Sequence, residues 1–287
     1  MDDVLYVPSF PRADEKVRVV RTLRRCGGLT GAALVTAARM GATCAFAGCL
    51  GTDEASQFVA DHFAREGIDV SHAPRLAEAR VVTSTIVVGQ DIGSRNIFYQ
   101  SEGLIGAHDH LPPDEVIRNA RVLFIDQYGM KGNLRAVRIA RSGGAHVVAD
   151  FEDGSDAEFQ EILGLVDHPI LSVDFARQTT RAPDPAQAAR ALWQPGRAAV
   201  IITDGPTGCW SLSAGGESIV RHHTAFLVAA TDTTGCGDVF HGAYAACLAR
   251  GDCLEDRIRF ASAAAALRAK EGEIPRRVAV EQFLANS

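Results

Sequence analysis

Short apolar runs bounded by turn-forming residues alternate along this chain with stretches in which apolar positions return every three or four residues. That alternation predicts a mostly parallel β-sheet with helices on both faces, an α/β body. Residues 44–50, 122–126, 146–150, 169–173 and 199–203 are the expected central strands, and 31–39, 54–66, 133–142 and 157–165 are the helices between them. Four further segments, 4–7, 17–21, 82–88 and 96–99, alternate in period two and are rich in β-branched residues, so they read as strands outside the parallel sheet. They fall in two pairs, the second joined by a turn-like stretch at 90–94, and predict a small antiparallel lid built from residues 4–21 and 82–99. The last third is helical, with a long helix at 236–250, an alanine-rich one at 255–269 and a short one at 278–285.

Composition narrows the function more than the fold. At 287 residues and 47% hydrophobic, the chain can bury the core of one large domain, and no repeat or low-complexity linker divides it. A net charge of -6 with scattered Lys and Arg gives no basic footprint for nucleic acid or an anionic membrane, so a small-molecule partner is expected. No apolar run approaches the roughly 18 residues that a membrane span needs. The seven cysteines include no C-x-x-C pair, and an odd number fits poorly with a secreted disulfide framework. Reduced thiols in a cytoplasm are the expectation.

Candidate chemistry concentrates in Asp232-Thr233-Thr234-Gly235-Cys236-Gly237-Asp238-Val239-Phe240-His241-Gly242-Ala243. Its first two glycines let the backbone turn tightly into a helix, whose unpaired N–H groups would form a site for phosphate or a developing oxyanion. A carboxylate in that first turn is favoured as the anion, so Asp238 is expected to be ionised and ready to take a proton from a hydroxyl. The same residues also fit a plain turn with Asp232 or Thr234 as a cap. Phe240 stands where a dinucleotide fingerprint has its third glycine, and no Gly-Lys-Ser or Gly-Lys-Thr occurs, so any nucleotide site is of another type. His222-His223 and His108-x-His110 have no companion ligand set and read as surface histidines.

The segment closely resembles the D-T-x-G-A-G-D signature of the ribokinase-like (PfkB) carbohydrate kinases, and its continuation D-V-F-H-G-A is most similar to bacterial ketose- and sulfofructose-type members. The resemblance implies a three-layer α/β/α fold with a β lid and ATP-dependent transfer of the γ-phosphoryl group to a hydroxyl of a small sugar or sugar derivative. ATP and Mg2+ are the implied cofactors, with K+ as a further ion beside Asp232, and the lid is the implied interface of a homodimer. Asp238 becomes the catalytic base, and the amides of Gly235, Cys236 and Gly237 the anion hole. Gly27-Gly28 before a small-residue helix is similar to the family's sugar-side glycine pair, with Asp2 as the sugar contact. Thr203, Gly205 and Gly208, together with Thr234, resemble nucleotide-phosphate residues, and Ser262 and Ala265 resemble the helix beside adenine. A nucleoside or vitamin-precursor kinase of the same fold, or a catalytically weak sugar- or nucleotide-binding sensor, remains an alternative.

This sequence departs from the family pattern at four places. Ala32 stands where a substrate-binding Asn is usual, and Cys236 replaces an alanine, which would put a reactive thiol beside the transferred phosphate. Ser172–Phe175 aligns with an Asn-x-x-Glu motif, where Asp174 is the expected substitute for the acid. The family's first central strand is expected to be absent, because Asp2 already matches the aspartate that follows it.

Overall fold

The computed structural model describes residues 1–91, 94–214 and 219–287. The lid is a four-stranded sheet of β1 (Asp2–Val7), β2 (Arg21–Arg25), β3 (Thr83–Gly89) and β4 (Ser94–Gln100), in the order β2-β1-β3-β4. β1–β2 and β3–β4 are antiparallel, as expected, but β1 runs parallel to β3. The lid is therefore mixed, because β1 and β3 enter it separately rather than as halves of one hairpin. The expected strand at 17–21 is displaced to Arg21–Arg25. Of the turn expected at 90–94, residues 92–93 lie outside the described residues.

Six strands form the central sheet: β5 (Val122–Ile125), β6 (His146–Ala149), β7 (His168–Ser172), β8 (Ala199–Thr203), β9 (Cys209–Ser213) and β10 (Arg221–His223), in the order β10-β9-β8-β7-β6-β5. β5 to β8 are parallel, and β9 and β10 extend them antiparallel. The helices are α1 (Leu29–Arg39), α2 (Glu54–Arg65), α3 (Asp114–Arg118), α4 (Met130–Ser142), α5 (Phe159–Leu165), α6 (Val173–Thr180), α7 (Pro185–Leu192), α8 (Cys236–Arg250), α9 (Leu254–Glu271) and α10 (Arg277–Ala285).

Because side chains alternate across a strand, each strand feeds two cores. Val148, Ile170, Ala199 and Ile201 pack with α1, α2, α8, α9 and α10. Their neighbours Val147, Ala149, Leu171, Val200 and Ile202 pack with α3 to α7. The result is three layers, α/β/α, and each fully buried Ile contributes on the order of 1.5–3 kcal/mol.

Residues 44–50 are not a strand of this sheet. Among the described residues their only bridges are Ala45 with Asp69 and Leu50 with Arg75, and β5 is the last strand on its side. The apolar run at 169–173 ends one residue early, because the Ser172 hydroxyl accepts from the Phe175 N–H and starts α6.

Two helices set the position of the site. Gly242 in α8 lies against α1 so closely that a Cβ there would stand 2.1 Å from the Ala33 carbonyl oxygen. This crossing ties the start of α1, preceded by Gly28 at φ 80°, to the start of α8, preceded by Gly235 at φ 75°. Both positive φ values favour glycine.

Candidate active site

A cavity of about 1,710 Å³ opens beneath the lid at the carboxyl ends of the parallel strands. Asp126 after β5, Asp150 after β6, Ser172 at the end of β7 and Thr203 at the end of β8 all line it. That is where open α/β sheets bind ligands. Of the residues singled out in the sequence, Asp2, Gly27, Gly28, Thr203, Thr234, Gly235, Gly237 and Asp238 face this one cavity.

The start of α8 has no side-chain cap. Among the described residues, the N–H groups of Gly235 and Gly237 have no backbone acceptor, whereas Cys236 N–H donates to the Thr233 carbonyl at 3.3 Å. Two amides of the expected anion hole are thus free and the third is shared. The Cys236 side chain does not line the cavity, and burial pushes its thiol up to about 11. It is not the reactive thiol that the sequence suggested.

Asp238 differs from expectation in its charge. The helix N-terminus favours the anion, but removal from water, followed by the neighbouring Asp150, pushes its pKa up to about 8. Asp150 is raised well above the ordinary carboxylate value by burial and then by Glu152 and Asp126. Asp126 is raised by burial against hydrogen bonds from the Thr30 hydroxyl (2.6 Å) and the Tyr128 N–H (2.9 Å). Beneath these carboxylates His241 lies one turn beyond Asp238, with Nδ1 3.3 Å from Asp150 Oδ2.

Asp2, the expected sugar contact, is buried in β1, and its Oδ2 lies 3.5 Å from Arg25 Nε. Gly27 has to be glycine, because a Cβ would fall 2.0 Å from Asp2 Oδ2. Ala32 is buried and carries no polar group into the cavity, but Thr30, one residue into α1, does.

Four expected nucleotide residues fall outside the lining. Gly205 starts an exposed 3-10 turn after β8, and Gly208, at φ 106°, closes that turn against the His223 carbonyl. Ser262 and Ala265 are half-buried on α9. Asp232 does not fit the monovalent-cation role, because its Oδ2 is 3.0 Å from Arg268 Nη2 and its Oδ1 accepts from the Thr234 N–H at 2.8 Å. The buried guanidinium already supplies the positive charge there. Asp174 also fails as the substitute acid, since it is exposed and off the cavity while Phe175 is in the core.

Sequence reasoning did not single out Asp126, Thr30, Arg25 or His241. A signal was present for two of them. Asp126 follows a parallel strand, and His241 is three residues beyond Asp238 on the same helical face.

Comparison with known proteins agrees with this geometry. The pfkB family carbohydrate kinase model matches residues 1–274. The chain is 27% identical to the ribokinase of Haemophilus influenzae over 99% of its own length and 95% of that protein. It is 28% identical to the aminoimidazole riboside kinase of Salmonella typhimurium over 79% of its own length and 75% of that protein. The crystal structure of a putative ribokinase from Agrobacterium tumefaciens superposes with a TM-score of 0.88 at 25% identity, over 99% of this chain and 94% of that one. Arabidopsis thaliana ribokinase complexed with ribose and ATP shares the fold, with a TM-score of 0.86 at 20% identity over 100% of this chain and 96% of that one. The chain therefore belongs to the pfkB family of carbohydrate kinases and is an ATP-dependent phosphotransferase acting on a sugar or nucleoside hydroxyl.

Proposed function

We propose that the acceptor is a small sugar or sugar derivative held between the lid and the starts of α1 and α8, with Asp238 as the base. The observation behind this reading is that the Asp238 carboxylate and the free amides of Gly235 and Gly237 line one cavity with Asp2, Gly27 and Gly28. The acceptor hydroxyl oxygen attacks the γ-phosphorus and loses its proton to Asp238, and the bond to the bridging oxygen of ADP breaks. The two free amides, with Cys236 N–H turning from Thr233, take the charge that spreads over the phosphoryl oxygens. Thr203 and Thr234 line the side where the triphosphate would lie. The adenine contacts of Ser262 and Ala265 and the loop roles of Gly205 and Gly208 rest on the sequence resemblance. Activity requires the ionised base, so we expect kcat/KM to rise with pH through about 8.

Among the described residues no three His, Cys, Asp or Glu side chains gather as a metal cage. Mg2+ would therefore come with the triphosphate, where it neutralises part of the phosphoryl charge. Arg268 stands in for K+ at Asp232. On β4, Phe98 is 61% exposed and points away from the cavity that Ile97 and Tyr99 line, an apolar contact suited to pairing two lids in a homodimer. All seven cysteines are unpaired, which fits a cytoplasmic enzyme, and among the described residues no helix is long and apolar enough to cross a membrane. The whole chain is read as one kinase domain lacking the family's first central strand. The support is that β5 ends the sheet, while residues 44–49 and β5 both line the cavity.

The test is an ADP-release screen over ketoses, pentoses, sugar acids and nucleosides. Turnover on sugars bears the reading out. Turnover confined to nucleosides would select the alternative that the Salmonella relative represents.

A further inference from the structure

His241 is 3% exposed and sits where three elements of the site meet. Its Nδ1 lies 2.7 Å from the carbonyl oxygen of Gly237, an anion-hole residue, and 3.3 Å from Asp150 Oδ2. Its Nε2 lies 2.9 Å from the Ile170 carbonyl oxygen of β7. Both carbonyl oxygens can only accept. A neutral imidazole carries one N–H, so one of its nitrogens would turn a lone pair toward a carbonyl oxygen in a buried site. Only the imidazolium donates on both sides. The ionisable groups around it are Asp238 on α8, Asp150 and Glu152 after β6, and Asp126 after β5, all carboxylates, while β5 adds the edge-on ring of Phe124. Burial pulls the ring's pKa below the ordinary histidine value, and the carbonyls of Ile170 and Gly237 and the charges of Asp238 and Glu152 oppose that pull.

We propose that His241 is a positioning residue that works as a buried imidazolium, tying the first turn of α8 and the Asp150 carboxylate to β7. This inference rests on Asp238 being the base. Its positive charge offsets the negative charge of Asp150, so Asp238 gives up its proton at a lower pH than it would beside Asp150 alone. Without it, Asp150 and Asp238 face each other as like charges and Asp238 holds its proton to higher pH. The two N–H bonds also fix the turn that presents the Gly237 amide.

Two measurements test this separately from the base assignment. The first is nitrogen NMR of the histidine rings in the intact wild-type protein, with His241 assigned through the backbone. Two protonated ring nitrogens at pH 7 are expected, and a ring neutral at that pH would overturn the proposal. The second is the pH profile of acceptor kcat/KM. His241→Gln should move the acid limb upward by about one pH unit, a loss of roughly tenfold near neutrality, while Asp150→Asn in that background should bring the limb back. A folded His241→Gln variant with an unmoved limb would also overturn it. If Asp238→Asn keeps its turnover, the base assignment fails, and the nitrogen spectrum still decides the charge of His241.

Discussion

Replacing Gly242 by alanine tests how the fold builds the site. The added Cβ would stand 2.1 Å from the Ala33 carbonyl oxygen and 2.7 Å from the Thr36 Cβ. Ordinary contact begins near 3.4 Å, so the α1 and α8 axes must part locally by roughly 1 Å. Overpacking of this kind costs about 1–3 kcal/mol. At this chain length that corresponds to a Tm lowered by roughly 2–10 °C. The functional loss should exceed what the stability loss explains, because the same crossing joins Gly28 on the proposed acceptor side to Gly235 at the proposed anion hole. A displacement of about 1 Å between reacting groups can cost on the order of 10²-fold in rate. The assay is calorimetry followed by kcat at a temperature where the variant is fully folded. Gly164→Ala in α5 is the control, since a Cβ there meets nothing within 4 Å. It should be neutral or gain up to about 1 kcal/mol. A Gly242→Ala protein with wild-type Tm and kcat would refute the argument.

Other expected outcomes follow from single contacts. Gly27→Ala should displace Asp2 and raise the acceptor KM with little change in the KM for ATP, measurable by steady-state kinetics. Activity should be insensitive to exchanging Na+ for K+, because Arg268 pairs with Asp232; a strict potassium requirement would contradict this. The pKa of Asp238 is raised on folding, so its contribution to stability is present at low pH and is lost as pH rises toward about 8. The Tm of Asp238→Asn relative to wild type should therefore increase between about pH 4 and 8 and level off above, as thermal melts across that range would show.

The parallel core was legible because buried strands need apolar residues on both faces, and Ile170-Leu171 and Val200-Ile201-Ile202 feed two cores at once. The same rule misread residues 44–50: Cys44, Cys49 and Leu50 are buried, but among the described residues the segment joins no strand and forms only isolated bridges at Asp69 and Arg75. Pairing is not written in composition. β10 was invisible for the opposite reason, since Arg221-His222-His223 carries no apolar signal and exists by pairing with β9. In the site, the glycines and Asp238 were readable because a turn proposed to cradle phosphate calls for those residue types. The upward shift of the Asp238 pKa was not, because it depends on Asp150 arriving from a strand far away in the sequence. Arg268 at Asp232 was hidden likewise, since the α9 turn that delivers it reads as packing alone.

Turnover of Asp238→Asn on a sugar that the wild type phosphorylates, measured beside ATP affinity, addresses the central claim most directly. The account predicts kcat lowered by roughly 10²–10⁴-fold with ATP binding nearly unchanged. Turnover within a few fold of wild type would mean that this carboxylate does not receive the acceptor's proton.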